Sequence, residues 1–190
     1  MEWLTSTIFT IFAGNIDIIV MIDINKIRVV PDFPTPGIQF FDITTILNDA
    51  TEYQNVFQEL LQKAQIYKPD VIIGLEARGY YFAPALALEM GLPFVPIRKK
   101  GKLPFHTFTE SYDLEYGSAS IEIHQDAFPK HQKVLLFDDI LATGGTAQAA
   151  VKLIQKFDPD SIQALFLMEL SFLNGREKLQ NIAIESLLIV

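Results

Sequence analysis

The sequence predicts an α/β domain built on a mainly parallel sheet. Short apolar runs rich in β-branched residues recur at 71–76 (VIIGLE), 93–98 (PFVPIR), 134–137 (VLLF) and 162–168 (IQALFLM). Between them stand segments with apolar residues at helical spacing, at 53–65, 80–90 and 146–157. Such alternation suits parallel strands joined by crossover helices, with ligands bound outside the carboxyl ends of the strands.

The elements follow in order. Residues 1–22 are apolar-rich and hold no Lys or Arg, so they lack the basic start of a signal peptide. The uncharged run 3–16 spans 14 residues, against the roughly 20 that a membrane helix needs. Residues 1–20 are expected to be an extension outside the core, with Met21 as an alternative start and 21–190 as one domain. Prolines 31, 34 and 36 with Gly37 exclude regular helix and predict a rigid loop bearing Phe40 and Phe41. Val56, Phe57, Leu60, Leu61 and Ala64 define an amphipathic helix. After the first strand, Ala77, Arg78 and Gly79 form a turn, and a helix from Tyr80 ends near Gly91. Residues 99–116 read as a long connection with weak periodicity, and long connections are often lids. The alternating SASIEIH of 118–124 suggests an exposed strand, and 187–190 a last strand.

Composition narrows the classes. The 190 residues are nearly half apolar, which suits a globular domain with a buried core. A formal net charge of −8 argues against general nucleic-acid binding. The absence of cysteine excludes disulfides and thiolate-bound metals and fits a reducing cytoplasm. No membrane partner is expected.

The chemistry concentrates at 134–150, VLLFDDILATGGTAQAA. An apolar strand runs into Asp138 and Asp139, then into the turn Ala142-Thr143-Gly144-Gly145-Thr146 and a helix. Glycines let backbone N–H groups approach an anion, the helix N-terminus adds partial positive charge, and the threonine hydroxyls add donors. The Gly-Lys-Thr ending of a Walker A loop is absent. Carboxylates accept from sugar hydroxyls. Phosphate beside polyol describes a phosphorylated ribose; the plain alternative is a capped helix with glycines that only turn the chain. Arg78, at a strand's carboxyl end, suits pyrophosphate oxygens, its alternative being a surface pair with Glu76. Arg98, Lys99, Lys100 and Lys102 make a local positive field that can steer an anion, or merely a solvated charge run.

VLLFDDILATGGT resembles the 13-residue signature of the type I phosphoribosyltransferases. PDFPTPGIQFFDIT, LEARGYYFAP, PIRKKGKLP, SYDLEYG and LNGREKL each resemble that family's adenine-using branch, in register from about Pro31 to the C-terminus. The resemblance implies the type I fold, a central sheet with a flexible lid loop and a small hood. It implies transfer of phosphoribosyl from 5-phosphoribosyl-1-pyrophosphate (PRPP) to adenine, giving AMP and pyrophosphate, with Mg²⁺ bound mainly through PRPP and with no dedicated protein metal site. It implies Asp138 and Asp139 at the ribose hydroxyls, Ala142 to Thr146 at the 5′-phosphate, and Arg78, Arg98, Lys99 and Lys102 at the pyrophosphate. Glu115 is the implied acid/base, beside Tyr116 on the lid. Gln39, Phe40, Phe41 and Ile140 are implied at adenine, with Phe41 standing where the family commonly has arginine. A cytoplasmic homodimer acting in purine salvage is implied as well. Two alternatives stay open: an enzyme for 6-oxopurines, and a non-catalytic regulator that senses PRPP or purines.

Overall fold

The structure is a computed structural model, and it describes residues 10–12, 15–17, 22–113 and 118–190. Two compact units are distinguished, Met1–Val56 and Phe57–Val190. In the first, strands β1 (Thr10–Phe12) and β2 (Asn15–Asp17) pair antiparallel. Strands β3 (Arg28–Pro31) and β4 (Gln39–Asp42) form a second antiparallel ribbon, with Val30 opposite Phe40 and Val29 opposite Phe41. The expectation of no helix around the prolines holds, but the flanks of that loop pair into strands. The connection is pinned where the Gly37 N–H donates to Asp32 Oδ1 at 2.7 Å. A short helix α1 (Thr44–Leu47) follows, its first turn held by Asp42, which accepts from the Thr44 N–H at 3.0 Å.

Helix α2 (Ala50–Tyr67) begins in the first unit and ends in the second. It starts earlier than apolar spacing predicts because Asp49 caps it, accepting from the Thr51 and Glu52 N–H groups at 3.0 and 3.2 Å. Val56, Leu60, Leu61 and Ala64 are buried, as the spacing requires.

The second unit holds β5 (Val71–Leu75), α3 (Ala83–Met90), β6 (Phe94–Lys99), β7 (Thr107–Asp113), β8 (Ser118–His124), β9 (Lys133–Leu141), α4 (Gly145–Gln155), β10 (Ser161–Glu169) and β11 (Ala183–Ile189). The seven strands form one sheet in the order β11-β10-β9-β5-β6-β8-β7. Pairing is parallel from β11 through β6 and antiparallel among β6, β8 and β7. The mainly parallel sheet expected from the alternation is therefore present. On α4, Val151, Leu153 and Ile154 are buried in the main apolar cluster with Val134 and Leu136 of β9. Each such burial contributes roughly 1.5–3 kcal/mol, so the helix is seated firmly over the sheet.

Three expectations need correction. Strand β9 does not stop at Phe137 but runs to Leu141, because β10 pairs with it as far as Leu141 opposite Glu169. Strand β8 is not exposed: it lies between β6 and β7, with Ile121, Glu122 and Ile123 buried. The connection 99–116 is not all irregular, since 107–113 form β7, whose Phe108 and Tyr112 pack against the core. Its apolar positions stand four apart, which hides a two-residue period. Residues 114–117, and with them Glu115 and Tyr116, lie outside the described residues. Among the described residues no helix is long and apolar enough to cross a membrane.

Candidate active site

Strands β5, β6, β9 and β10 are parallel, so their carboxyl ends share one sheet edge. Arg78, Arg98, Asp138, Asp139 and the 142–144 turn all follow or end these strands. The chain places Arg78 in a one-turn 3-10 helix (Arg78–Tyr81) directly after β5. That turn approaches β9 closely because residue 79 is glycine. A Cβ there would lie 2.9 Å from the Phe137 carbonyl oxygen and 3.1 Å from Asp138 Oδ1.

Close approach brings Arg78 Nε to 2.9 Å from Asp139 Oδ2. Asp139 is only 2% exposed, so the guanidinium offsets a carboxylate removed from water. Arg78 thus pairs with Asp139, and the surface pair with Glu76 does not form. Glu76 instead accepts from Arg98 Nε at 2.6 Å. Asp138 is half-buried and accepts the Asp139 N–H at 3.0 Å. Burial, followed by the neighbouring Asp139 charge, holds the Asp138 carboxyl well above its usual range. Burial raises Asp139 too, with the Arg78 charge opposing it. Carboxyls raised in this way are frequent at binding and catalytic sites.

A stability prediction follows from that raised carboxyl. Its protonated form is favoured in the folded state, so its stabilising contribution is full below the ordinary aspartate range and is lost as pH rises through the folded pKa. Asp138→Asn should therefore unfold at a higher temperature than wild type at pH 8, by about 1 kcal/mol of stability. The gap should close toward pH 4. Thermal melts of the unliganded protein across that range check it, and a gap independent of pH would contradict it.

The basic segment is held from below. Glu122 is buried on β8, and its Oε1 accepts from the Lys102 and Leu103 N–H groups at 2.9 and 2.8 Å. Burial alone would raise this carboxyl. The N–H groups of Leu103, Gly101 and Lys102 outweigh it and hold the group below its usual range. Arg98 Nη1 donates to the Lys102 carbonyl at 3.3 Å. Lys99, Lys100 and Lys102 are exposed on the turn so fixed. With Arg98 offset by Glu76, the outward positive field rests on the three lysines.

Past β9 the chain turns through Ala142, Thr143 and Gly144 into α4. Gly144 is the cap residue, in the left-handed region at φ 76°, and no side chain caps the helix. No acidic residue stands in its first turn. The first N–H groups of an eleven-residue helix are therefore left for an anion, with Thr143 and Thr146 beside them. Ile140 lies half-buried on β9 just before this turn.

The hairpin residues belong to the first unit. Gln39 is exposed, Phe40 half-buried and Phe41 buried. Phe40 meets Phe33 edge-to-face, with centroids 5.2 Å apart. Of the two aromatic candidates, Phe41 is thus the one committed to packing. Sequence reasoning passed over Glu122 as a functional support; an ionisable residue at the centre of an apolar strand was the available signal.

A parallel sheet whose carboxyl edge carries an acidic pair, an uncapped glycine turn and basic groups suits a phosphorylated sugar ligand. The phosphoribosyl transferase domain family matches residues 43–184. The adenine phosphoribosyltransferase of Brevibacillus brevis is 48% identical over 161 residues, covering 85% of this chain and 95% of that one. The crystal structure of adenine phosphoribosyltransferase from Thermoanaerobacter pseudethanolicus superposes with a TM-score of 0.83 at 46% identity, covering 87% of this chain and 96% of that one. The Saccharomyces cerevisiae enzyme, solved with adenine and an imino-altritol bisphosphate, gives 0.81 at 39% identity over 86% of this chain and 94% of that one. The chain belongs to the adenine phosphoribosyltransferases.

Proposed function

We propose that the chain transfers the 5-phosphoribosyl group of PRPP to N9 of adenine, giving AMP and pyrophosphate in purine salvage. The observation that carries the reading is the chain from β9 into α4, where the Asp138–Asp139 pair stands six residues before a helix start at Gly145 that no side chain caps. Ala142, Thr143, Gly144, Gly145 and Thr146 take the 5′-phosphate, and Asp138 and Asp139 accept from the ribose hydroxyls. Arg78, Arg98, Lys99 and Lys102 serve the pyrophosphate. Glu115, with Tyr116 beside it, handles the proton of the purine as N9 attacks C1′.

The chemistry asked of the protein is electrostatic. As the C1′–oxygen bond breaks, positive charge grows on the ribose and negative charge on the leaving group. The acidic pair lies at the first and the cationic groups at the second, fixed before the reaction begins. Mg²⁺ bound on PRPP supplies further charge neutralisation for the departing pyrophosphate. Mg²⁺ commonly takes one or two carboxylates plus phosphate oxygens, which suits a cation carried in by substrate. Asp138 and Asp139 are the carboxylates that would meet it.

For the base, the resemblance assigns Phe40 an aromatic face, with Gln39 and Phe41 offering backbone groups on the same strand. Phe40→Ala is expected to raise the KM for adenine about tenfold, the scale of one base–aromatic stack, with the KM for PRPP little changed. Steady-state kinetics varying each substrate in turn check this; equal shifts in both constants would contradict it. The same reading describes a cytoplasmic homodimer with residues 1–20 as an extension outside the core.

Pyrophosphate release from protein mixed with Mg²⁺, PRPP and adenine tests the function. Release dependent on all three supports the enzyme. Binding of PRPP without release would favour the regulator.

A further inference from the structure

The 5′-phosphate turn is braced by a segment distant in sequence that carries none of the residues assigned above. Gly144 and Gly175 lie backbone to backbone. A Cβ on Gly144 would run into the Gly175 carbonyl oxygen and come within 3.1 Å of the Gly175 carbonyl carbon and Cα. A Cβ on Gly175 would run into the Ala142 carbonyl oxygen and lie 3.1 Å from Leu141 Cδ1. Both glycines are buried. The turn therefore rests on Gly175 with no side chain between them.

Gly175 opens a 3-10 turn (Gly175–Lys178) whose position is fixed from two sides. On one side Arg176 Nε donates to both carboxylate oxygens of Glu169, at 2.6 and 2.8 Å. Arg176 Nη1 also donates to the Ile184 carbonyl at 3.2 Å, and Ser186 Oγ donates to Glu169 Oε2 at 2.9 Å. Glu169 is buried at the end of β10, opposite Leu141, and the next residue, Leu170, donates its N–H to the Leu141 carbonyl at 2.9 Å. Burial would raise Glu169, and the Arg176 and Ser186 bonds outweigh it and hold the carboxyl down. On the other side Gln148 Nε2, in the first turn of α4, donates to the Lys178 carbonyl at 3.1 Å. One clasp thus links the last residue of β9, the first turn of α4 and the backbone on which the glycine turn sits.

We infer that Gly175 and the Arg176–Glu169 clasp are positioning residues for the 5′-phosphate turn: they set the height at which its N–H groups meet the phosphate. The inference rests on the reading of 142–146 as the 5′-phosphate site. A buried carboxylate bonded by Arg176 and a serine is stiff, and stiffness is what a preorganised anion site requires.

Gly175→Ala tests it. The added methyl must displace Ala142, so the KM for PRPP should rise about tenfold or more, a displacement effect on a bound group. The KM for adenine and the Kd for free pyrophosphate, which lacks the 5′-phosphate, should each stay within about twofold. A merely structural role would lower the melting temperature and the active fraction and leave both KM values alone. Should Gly175→Ala fail to fold, Gln148→Ala and Arg176→Lys relax the clasp more gently and should raise the PRPP constant about threefold, again without moving the adenine constant. Thr146→Val serves as the reference within the turn. If Thr146→Val raises the PRPP constant and no folded clasp variant does, the inference is overturned while the site stands. If Thr146→Val leaves it unmoved as well, the phosphate assignment and the inference fall together.

Discussion

Asp139→Asn is expected to lower kcat/KM for PRPP about tenfold or more, at least 1.4 kcal/mol of lost transition-state stabilisation. The substitution keeps size and shape and removes one charge. That charge is 2% exposed and lies 2.9 Å from Arg78 Nε, so it anchors the arginine, and the proposed reading also assigns it to the ribose hydroxyls. Removing a buried carboxylate's charge also removes its desolvation cost, so the fold should not suffer in proportion. A large kinetic loss with a small shift in melting temperature is the expected pattern. Kinetics unchanged from wild type would contradict the assignment to the ribose.

Arg78→Ala should hurt both stability and catalysis. It leaves Asp139 buried beside Asp138 without its closest cation, and each aspartate already has its carboxyl pushed up by burial. The arginine side chain is itself about a third exposed, which tempers the pair's worth. A loss of about 1–3 kcal/mol is expected. Turnover should fall roughly a hundredfold, as when a fixed donor to a developing anion is removed. Adding Asp139→Asn to Arg78→Ala should restore much of the stability and none of the turnover. Denaturant melts and kinetics on both single variants and the double variant separate the two effects. A double variant no more stable than Arg78→Ala would contradict the pairing.

Much of this arrangement was legible before any coordinates. The parallel sheet follows from runs such as VIIGL, which form fully buried strands, and α2 from a strict apolar stripe. The uncapped turn before α4 was visible because glycine, threonine and a strand end coincide at 141–146. What escaped has a common physical cause: it depends on neighbours far away in sequence. Strand β9 continues through two aspartates, against local propensity, because β10 pairs alongside it. Strand β7 exists because β8 pairs with it over seven positions. The exchange of ion pairs, Arg78 with Asp139 and Arg98 with Glu76, is a matter of turn geometry that no spacing encodes. Gly175 was legible as part of a familiar C-terminal motif, but its contact with Ala142 appears only when β10 and the segment after it fold back on the turn.

The central claim is that this edge joins phosphoribose to adenine. Its most direct test is turnover of adenine, hypoxanthine and guanine by the same preparation with Mg²⁺ and PRPP. Adenine bears an amino donor at position 6, and the other two bases present an acceptor there. The account predicts AMP as the main product, with kcat/KM for adenine exceeding that for either 6-oxopurine by about a hundredfold or more. Equal or faster turnover of hypoxanthine or guanine would contradict it.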